Sequence, residues 1–189
     1  MAQHKIAKPV GYFEQVIPSK LIDIMVNEIE SMSGEMYSES AVGTTDEIKL
    51  ESRNSKISWW YEDHWVCSIF SHYFNKVNRD FWEYDLNYLQ SIQISKYEPG
   101  GHYAWHCDYG TSTDDRYTRK LSASLLITDP SEYKGGDLEF IDYHGNTITV
   151  PKIKGTMVIF DSRIPHRVTP VTEGKRISLV SWMLGPKLK

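Results

Sequence analysis

Tyr97-Glu98-Pro99-Gly100-Gly101-His102-Tyr103-Ala104-Trp105-His106-Cys107-Asp108 is the stretch on which the reading of this chain turns. A Pro-Gly-Gly turn divides two short β-type segments, and the second ends on His106 and Asp108 with one residue between them. Successive side chains of an extended backbone point to opposite faces, so positions i and i+2 share one, about 6.5–7 Å apart at Cα. From that separation an imidazole nitrogen and a carboxylate oxygen can converge on one cation, while Cys107 points the other way. Nitrogen and oxygen donors without a thiolate suit first-row metals such as Fe, Mn or Zn. A His-X-Asp triplet is weak by itself, because a chain with 7 histidines and 25 acidic residues produces one by chance. Its alternative is a strand carrying two solvated polar side chains.

The surroundings of this stretch read as β-structure. Residues 88–97 alternate Leu89, Ser91 and Gln93 against Tyr88, Gln90, Ile92 and Ile94. Further short β-rich segments follow at 121–128, 136–143, 146–150, 156–160, 166–169 and 176–183, separated by Gly, Pro, Asp and Asn. Tyr143-His144-Gly145-Asn146 is a hairpin signal that places His144 at an exposed turn. Upstream, Leu21, Ile22, Met25, Val26 and Ile29 recur at helical spacing, with Ser19 as the expected N-cap and Gly34 as the stop. A second helix is expected after Asp63, with Val66, Ile69, Phe70, Tyr73, Phe74 and Val77 on its apolar stripe. His64 and His72 read as surface or packing residues of that helix. The fold class expected is mostly β with N-terminal helices and a double-stranded β-helix (jelly roll) core. One domain covers 1–189, with about 1–85 a helical and loop support and about 86–185 the core.

Composition narrows the function. At 189 residues the chain can bury one substantial core. A net charge of −4 and the lack of a basic stripe interleaved with aromatics argue against a nucleic-acid partner. No apolar run approaches the roughly 20 residues of a membrane span. The first residues lack the apolar centre of a secretory signal, and only Cys67 and Cys107 are present, so a reducing cytoplasm is expected.

A metal at His106 and Asp108 needs a third protein ligand, and His166, fixed by Pro165 and followed by a short apolar strand, is the best candidate. Two imidazoles and one carboxylate leave three octahedral positions open, the arrangement of non-haem Fe(II) oxygenases. Arg176 lies in an otherwise apolar terminal strand. Either it is solvated at a sheet edge or it is buried against an anion, and a guanidinium pairs bidentately with a carboxylate.

Tyr97, Gly100, Tyr103, His106 and Asp108, then Gly135-Gly136-Asp137-Leu138, then Pro165-His166, Arg176 and Trp182 form an ordered set. It resembles the prolyl 4-hydroxylase-like branch of the 2-oxoglutarate- and Fe(II)-dependent dioxygenases, over about residues 88–185. The resemblance implies that His106, Asp108 and His166 hold Fe(II) and that Arg176 holds the distal carboxylate of 2-oxoglutarate. Tyr97 and Tyr103 match positions that line the cosubstrate pocket in such enzymes, where either hydroxyl would bond 2-oxoglutarate; aromatic core packing is the alternative for both. Collagen-type members carry Lys where Arg176 stands, so the chain is closer to the bacterial and oxygen-sensing types. Some relatives place a Tyr where Leu126 falls, which leaves Ser124 or Ser178 to supply the hydroxyl beside Arg176.

The implied reaction consumes 2-oxoglutarate and O2, releases succinate and CO2, and hydroxylates a C–H bond, with ascorbate as a possible reductant. The substrate implied first is a prolyl residue of a peptide or protein. A free amino acid or another small metabolite is the alternative within this chemistry. A non-catalytic jelly-roll binding module and a cupin-like isomerase or hydrolase are the alternatives outside it. Residues 111–119 and 43–53 are the candidate substrate loops, and Trp59, Trp60, Tyr61 and Trp105 either form a peptide groove or pack in the core.

Overall fold

Alternation along four long strands builds a sheet with two unlike faces. In the computed structural model, which describes residues 5–7, 10–39, 51–110 and 116–187, these strands are Ile92–Tyr97, Tyr117–Leu126, Met157–Asp161 and Arg176–Pro186. They pair antiparallel, with Arg176–Pro186 between Ile92–Tyr97 and Tyr117–Leu126, and Met157–Asp161 beyond the latter. One face carries Ile92, Ile94, Leu121, Ala123, Leu125, Met157, Ile159 and Leu179, and it packs against two helices. Helix α1, Ser19–Ser31, contributes Ile22, Met25 and Ile29. Helix α2, Val66–Val77, contributes Val66, Phe70, Phe74 and Val77. Phe70 and Phe74 are 0% exposed, and burying each stabilises the chain by roughly 1.5–3 kcal/mol.

The other face carries Gln93, Ser95, Tyr97, Ser122, Ser124, Ser178 and Trp182, the alternate positions of the same strands, and all of them are buried. A smaller sheet, ordered Thr147–Thr149, Leu138–Ile141, His166–Val168, His102–His106 and Arg53–Asn54, covers this face. Phe140, Val158, Phe160, Val168 and Val171 fill part of the space between the sheets. The short serines leave the remainder open. Two facing antiparallel sheets with helices on one outer side form the jelly roll read from the sequence.

Several local expectations differ from the structure. Ser19 is the first residue of α1 rather than its cap, and Pro18 takes the cap position without a side-chain bond. Asp63 does not cap α2, which starts three residues later; His64 Nδ1 accepts a bond from the Val66 N–H instead (3.3 Å). His64 also stacks on Trp60 at 4.1 Å and lies 3.2 Å from Glu28, so it ties α1 to the start of α2. Val10–Phe13 and Lys56–Trp60 extend the large sheet, in keeping with the extended character of 10–17 and 55–61 in the sequence, whereas Arg53–Asn54, at the end of a stretch that reads as loop, edges the small sheet. Of the two candidate substrate loops, residues 43–50 and 111–115 lie outside the described residues. Among those described, no helix is long and apolar enough to cross a membrane.

Candidate metal centre and adjoining cavity

Strand register brings the two histidines together. His166–Val168 pairs antiparallel with His102–His106, and His166 stands directly opposite His106. Their rings lie 4.1 Å apart. Asp108 reaches the same point by a turn rather than by the strand alternation expected, because the strand ends at His106. The backbone N–H groups of Asp108 and Tyr109 both donate to the Ser162 carbonyl at 2.9 Å, which fixes that turn. One ligand atom from each of His106, Asp108 and His166 lies within 4.8 Å of the others. His106 Nε2 is 3.8 Å from Asp108 Oδ1, and His166 Nε2 is 3.5 Å from Asp108 Oδ2.

Each imidazole is oriented through its other nitrogen. His106 Nδ1 lies 2.8 Å from the Ala104 carbonyl, and His166 Nδ1 lies 3.0 Å from the Ile164 carbonyl. A proton held at Nδ1 by a carbonyl leaves the Nε2 lone pair free for a metal. Ser122 Oγ donates to Asp108 Oδ2 at 2.8 Å and is itself 2.9 Å from Ser162 Oγ. Cys107 also lines the cavity beside these residues, and its thiol donates to the Arg163 carbonyl. Burial by itself would raise the Asp108 carboxyl, but His166, His106 and Arg119 outweigh it and hold it down at about 2. Burial, then the neighbouring His166, pushes His106 down to about 3. At neutral pH these are a charged carboxylate and a neutral imidazole, the forms that bind metal. Two imidazoles and a carboxylate fit Fe(II) with three octahedral positions to spare.

These groups form one wall of a cavity of about 370 Å³, also lined by Trp59, Gln93, Tyr97, Tyr103, Ser124, Ser178 and Trp182. Tyr103 stacks on His106 at 3.4 Å, and its burial raises the hydroxyl pKa, so the phenol stays protonated. Tyr97 is 3% exposed and sits opposite Arg176 in the sheet register. Arg176, also 3% exposed, donates from Nη1 to Ser178 Oγ at 2.9 Å and lies 5.4 Å from the Tyr97 ring. Ser178 shares the face of Arg176 because it is two residues along the same strand. Ser124 lines the cavity without bonding the guanidinium, and Leu126 brings no polar atom.

Behind the shared walls Ser124 and Leu138 is a smaller void of about 20 Å³, lined also by Arg176, Tyr133 and Lys152. Arg176 Nε and Tyr133 Oη are buried and have no hydrogen-bond partner there. Unsatisfied buried polar atoms are costly, about 1–3 kcal/mol each. A guanidinium with a free N–H beside a free phenol is the arrangement a carboxylate end would satisfy. The residues present therefore fit a keto diacid chelated at the metal. Tyr133 escaped the sequence reading because it comes from a different strand, Tyr133–Gly135, paired to Val171–Gly174. Its place just before Gly135-Gly136 was the available signal.

Two further arginines were overlooked as site residues. Arg53, 7% exposed, donates from Nε to Ser55 Oγ (3.1 Å) and lies 4.5 Å over the Tyr103 ring. Arg119 lies 3.5 Å over the Trp182 ring and donates to Gln90 Oε1 at 2.9 Å. Its Nη1 is 3.9 Å from Asp108 Oδ1. Burial lowers Arg119 to about 10; Asp108 and Tyr103 oppose that shift and Arg53 adds to it. Both line the large cavity.

Fold and site together define a jelly-roll protein with a two-histidine, one-carboxylate cluster able to hold a metal ion. The profile of the 2OG-Fe(II) oxygenase superfamily matches residues 92–184, and this stretch of the chain belongs to that superfamily. A PKHD-type hydroxylase of Stutzerimonas stutzeri is 37% identical over 91 residues, 46% of this chain and 40% of the relative. A PKHD-type hydroxylase of Janthinobacterium is 33% identical over 103 residues, 52% of this chain and 44% of the relative. The chain thus spans less than half the length of these relatives. A prolyl-4-hydroxylase of Pseudomonas putida has the same fold, with a TM-score of 0.74 at 21% identity over 95% of this chain and 94% of that one. So does a prolyl hydroxylase of Trichoplax adhaerens, solved with a hypoxia inducible factor peptide fragment, with a TM-score of 0.75 at 17% identity over 94% and 84%.

Proposed function

We propose that this protein is an Fe(II)- and 2-oxoglutarate-dependent hydroxylase acting on a prolyl residue of a peptide or protein. The observation that carries the reading is the convergence of His106, Asp108 and His166 on the wall of a cavity also lined by Ser178, whose hydroxyl accepts a hydrogen bond from Arg176 behind it. In this reading the three residues hold iron, and Arg176, assisted by Ser178 and Tyr133, holds the distal carboxylate of 2-oxoglutarate. Tyr97 and Tyr103 close the walls around the keto acid, with Tyr103 packed on the His106 ligand. Bound iron with 2-oxoglutarate and O2 supplies an oxidative decarboxylation, giving succinate and CO2 and placing one oxygen atom in a C–H bond. The chain's part is orientation, charge pairing and exclusion of water.

A prolyl substrate is supported by the fold shared with the Pseudomonas and Trichoplax enzymes, the latter bound to a peptide. A free amino acid or other small metabolite is the second reading, favoured by the limited cavity of about 370 Å³. The reading treats residues 86–185 as the catalytic core, with the first 85 as support. It also carries a cytoplasmic location, in keeping with two free cysteines.

The test is anaerobic loading with Fe(II) and 2-oxoglutarate, then exposure to O2 with a proline-containing peptide library or with free amino acids. Succinate formation and a gain of about 16 mass units, one oxygen atom, on a peptide are expected. Both should vanish in Asp108→Ala and His166→Ala while the chain still folds. No succinate with any substrate would leave the non-catalytic binding module.

A further inference from the structure

Residues 161–164, which join Met157–Asp161 to the strand beginning at His166, support the metal-binding residues through their carbonyls. Ser162 accepts the N–H groups of Asp108 and Tyr109, Arg163 accepts the Cys107 thiol, and Ile164 faces Nδ1 of His166. Ser162 Oγ also reaches Ser122, which donates to Asp108. A shift of this segment therefore moves the carboxylate and one imidazole together. Asp161 closes the segment. Its Oδ1 accepts bonds from the backbone N–H and the Nε of Arg163, both at 2.9 Å, and its carbonyl accepts the Ile164 N–H at 3.0 Å. Its Oδ2 accepts from Arg163 Nη2 and from the Tyr84 hydroxyl, both at 2.5 Å. Arg163 Nη2 donates in turn to the Tyr84 oxygen at 2.7 Å.

Tyr84 joins this cluster from 77 residues away in the chain. It follows α2 and one further helical turn, Asn78–Trp82. Glu83, just before it, takes the left-handed backbone conformation with φ 51°, at a cost of about 1–2 kcal/mol for a residue other than glycine. Asn78 holds the chain there. Its Oδ1 accepts the Tyr84 N–H and its Nδ2 donates to the Tyr84 carbonyl, both at 2.9 Å, and the Glu83 N–H donates to the Asn78 carbonyl at 2.7 Å. Both polar backbone groups of Tyr84 are thus clamped by one side chain, and the strained residue before it sets the direction of the ring. Local strain held in place in this way points to a constraint on what the next side chain reaches. The Asp161 side chain, which it reaches, is 2% exposed. A buried carboxylate deprived of one donor draws its remaining partners into a new arrangement, because an unmet acceptor costs more than a bent one.

We propose that Tyr84 is a positioning residue of the metal centre: its hydroxyl, aimed by Glu83 and Asn78, holds Asp161, and through Asp161 the carbonyls that orient Asp108 and His166. This role rests on the metal centre proposed above. It gives the helical part of the chain a share in ligand geometry, beyond covering the apolar face of the large sheet. Tyr84 touches neither the metal-binding residues nor the large cavity, so its effect on the metal must pass through Asp161.

Fe(II) affinity is measured anaerobically by competition with a chelating dye, well below the Tm of every variant, and the visible spectrum of the Co(II)-loaded protein reports ligand geometry. Removing a direct partner of a metal ligand costs about 10–100-fold in affinity, so Tyr84→Phe, one step further out, should cost about three- to tenfold. It should also shift the Co(II) bands. Phe74→Leu opens a cavity where α2 meets the sheet, away from the segment, and is the control for lost stability; its Fe(II) affinity should stay within about twofold and its Co(II) bands should not move. Placed in an Asp161→Asn background, Tyr84→Phe should change Fe(II) affinity by less than about twofold, because residues that act through one another are not additive. Unchanged affinity and spectrum in Tyr84→Phe overturn the assignment. Equal losses in Tyr84→Phe and Phe74→Leu overturn it too, since stability alone would then explain them. A full loss that persists in the Asp161→Asn background overturns the route through Asp161. No binding of Fe(II) or Co(II) by the wild-type protein would instead refute the metal centre itself, and the role of Tyr84 with it.

Discussion

Gly136→Ala tests whether the position of Arg176 governs cosubstrate binding. Gly136 has φ +63°, and a Cβ built there lies 2.8 Å from Arg176 Cδ and 3.0 Å from Val171 Cγ2. The left-handed backbone costs an alanine about 1–2 kcal/mol. Carbon contacts relax at about 3.5–4.0 Å, so the Arg176 stem must move by roughly 0.7–1.2 Å. A misplacement of about 1 Å in a binding group can cost about a hundredfold. Gly135→Ala is the comparison: φ is +71°, but its Cβ meets the Pro170 carbonyl oxygen rather than the guanidinium stem. Thermal unfolding of the ligand-free proteins and anaerobic calorimetric titration of 2-oxoglutarate into the Fe(II)-loaded proteins read the two effects. At about 2–4 °C per kcal/mol, the backbone strain lowers Tm by roughly 2–8 °C in Gly136→Ala. Gly135→Ala falls at least as far because its clash is with backbone. Gly136→Ala should in addition weaken 2-oxoglutarate by about ten- to a hundredfold, and by more than Gly135→Ala does. Wild-type 2-oxoglutarate affinity in Gly136→Ala, with Tm lowered, would refute the claim that the guanidinium must stand where it does.

Tyr133→Phe should weaken 2-oxoglutarate about three- to tenfold, the worth of one hydrogen bond, as read by the same titration. Its Tm should change by less than about 4 °C, because the Tyr133 hydroxyl makes no hydrogen bond of normal geometry and only a loose contact with Arg176; a larger drop with unchanged affinity would make the residue structural. Ser122→Ala removes the donor to Asp108 Oδ2 and should cost about 10–100-fold in Fe(II) affinity, measured by competition with a chelating dye; an unchanged affinity would remove Ser122 from the support of the centre. Burial alone would raise the Asp161 carboxyl, but bonds from Arg163 and Tyr84 hold it below the usual range. That stabilisation is present above the unfolded value of about 3.9 and is lost as pH falls through the lower folded value. Asp161→Asn should therefore cost roughly 1–3 kcal/mol in urea unfolding at pH 7, with the gap to wild type closing below about pH 4. A gap independent of pH would contradict the sign.

Much of the site was legible because its signals are local. His106, Cys107 and Asp108 are neighbours in sequence, Pro165 marks His166, and Arg176 with Ser178 obeys the two-residue repeat of one strand. The apolar alternation at Ile92 and Ile94, and at Leu121, Ala123 and Leu125, announced the sheet whose outer face the helices cover. Helix starts were less legible. Pro18 and the turn at 61–64 compete with Ser19 and Asp63 for the cap positions, and side-chain type alone does not rank those competitors.

Local order thus determined the alternation of the sheet and named the three residues, His106, Asp108 and His166, that converge in the structure. Tertiary structure alone decided which distant groups share a cavity. Register set His166 against His106, a turn on Ser162 aimed Asp108, and pairing with Val171–Gly174 brought Tyr133 to Arg176. Arg53 and Arg119 face one space for the same reason. Side-chain direction is written in a two-residue period, but partnership across a sheet depends on strand order and register. Those are fixed by long-range packing, which no short stretch of sequence encodes.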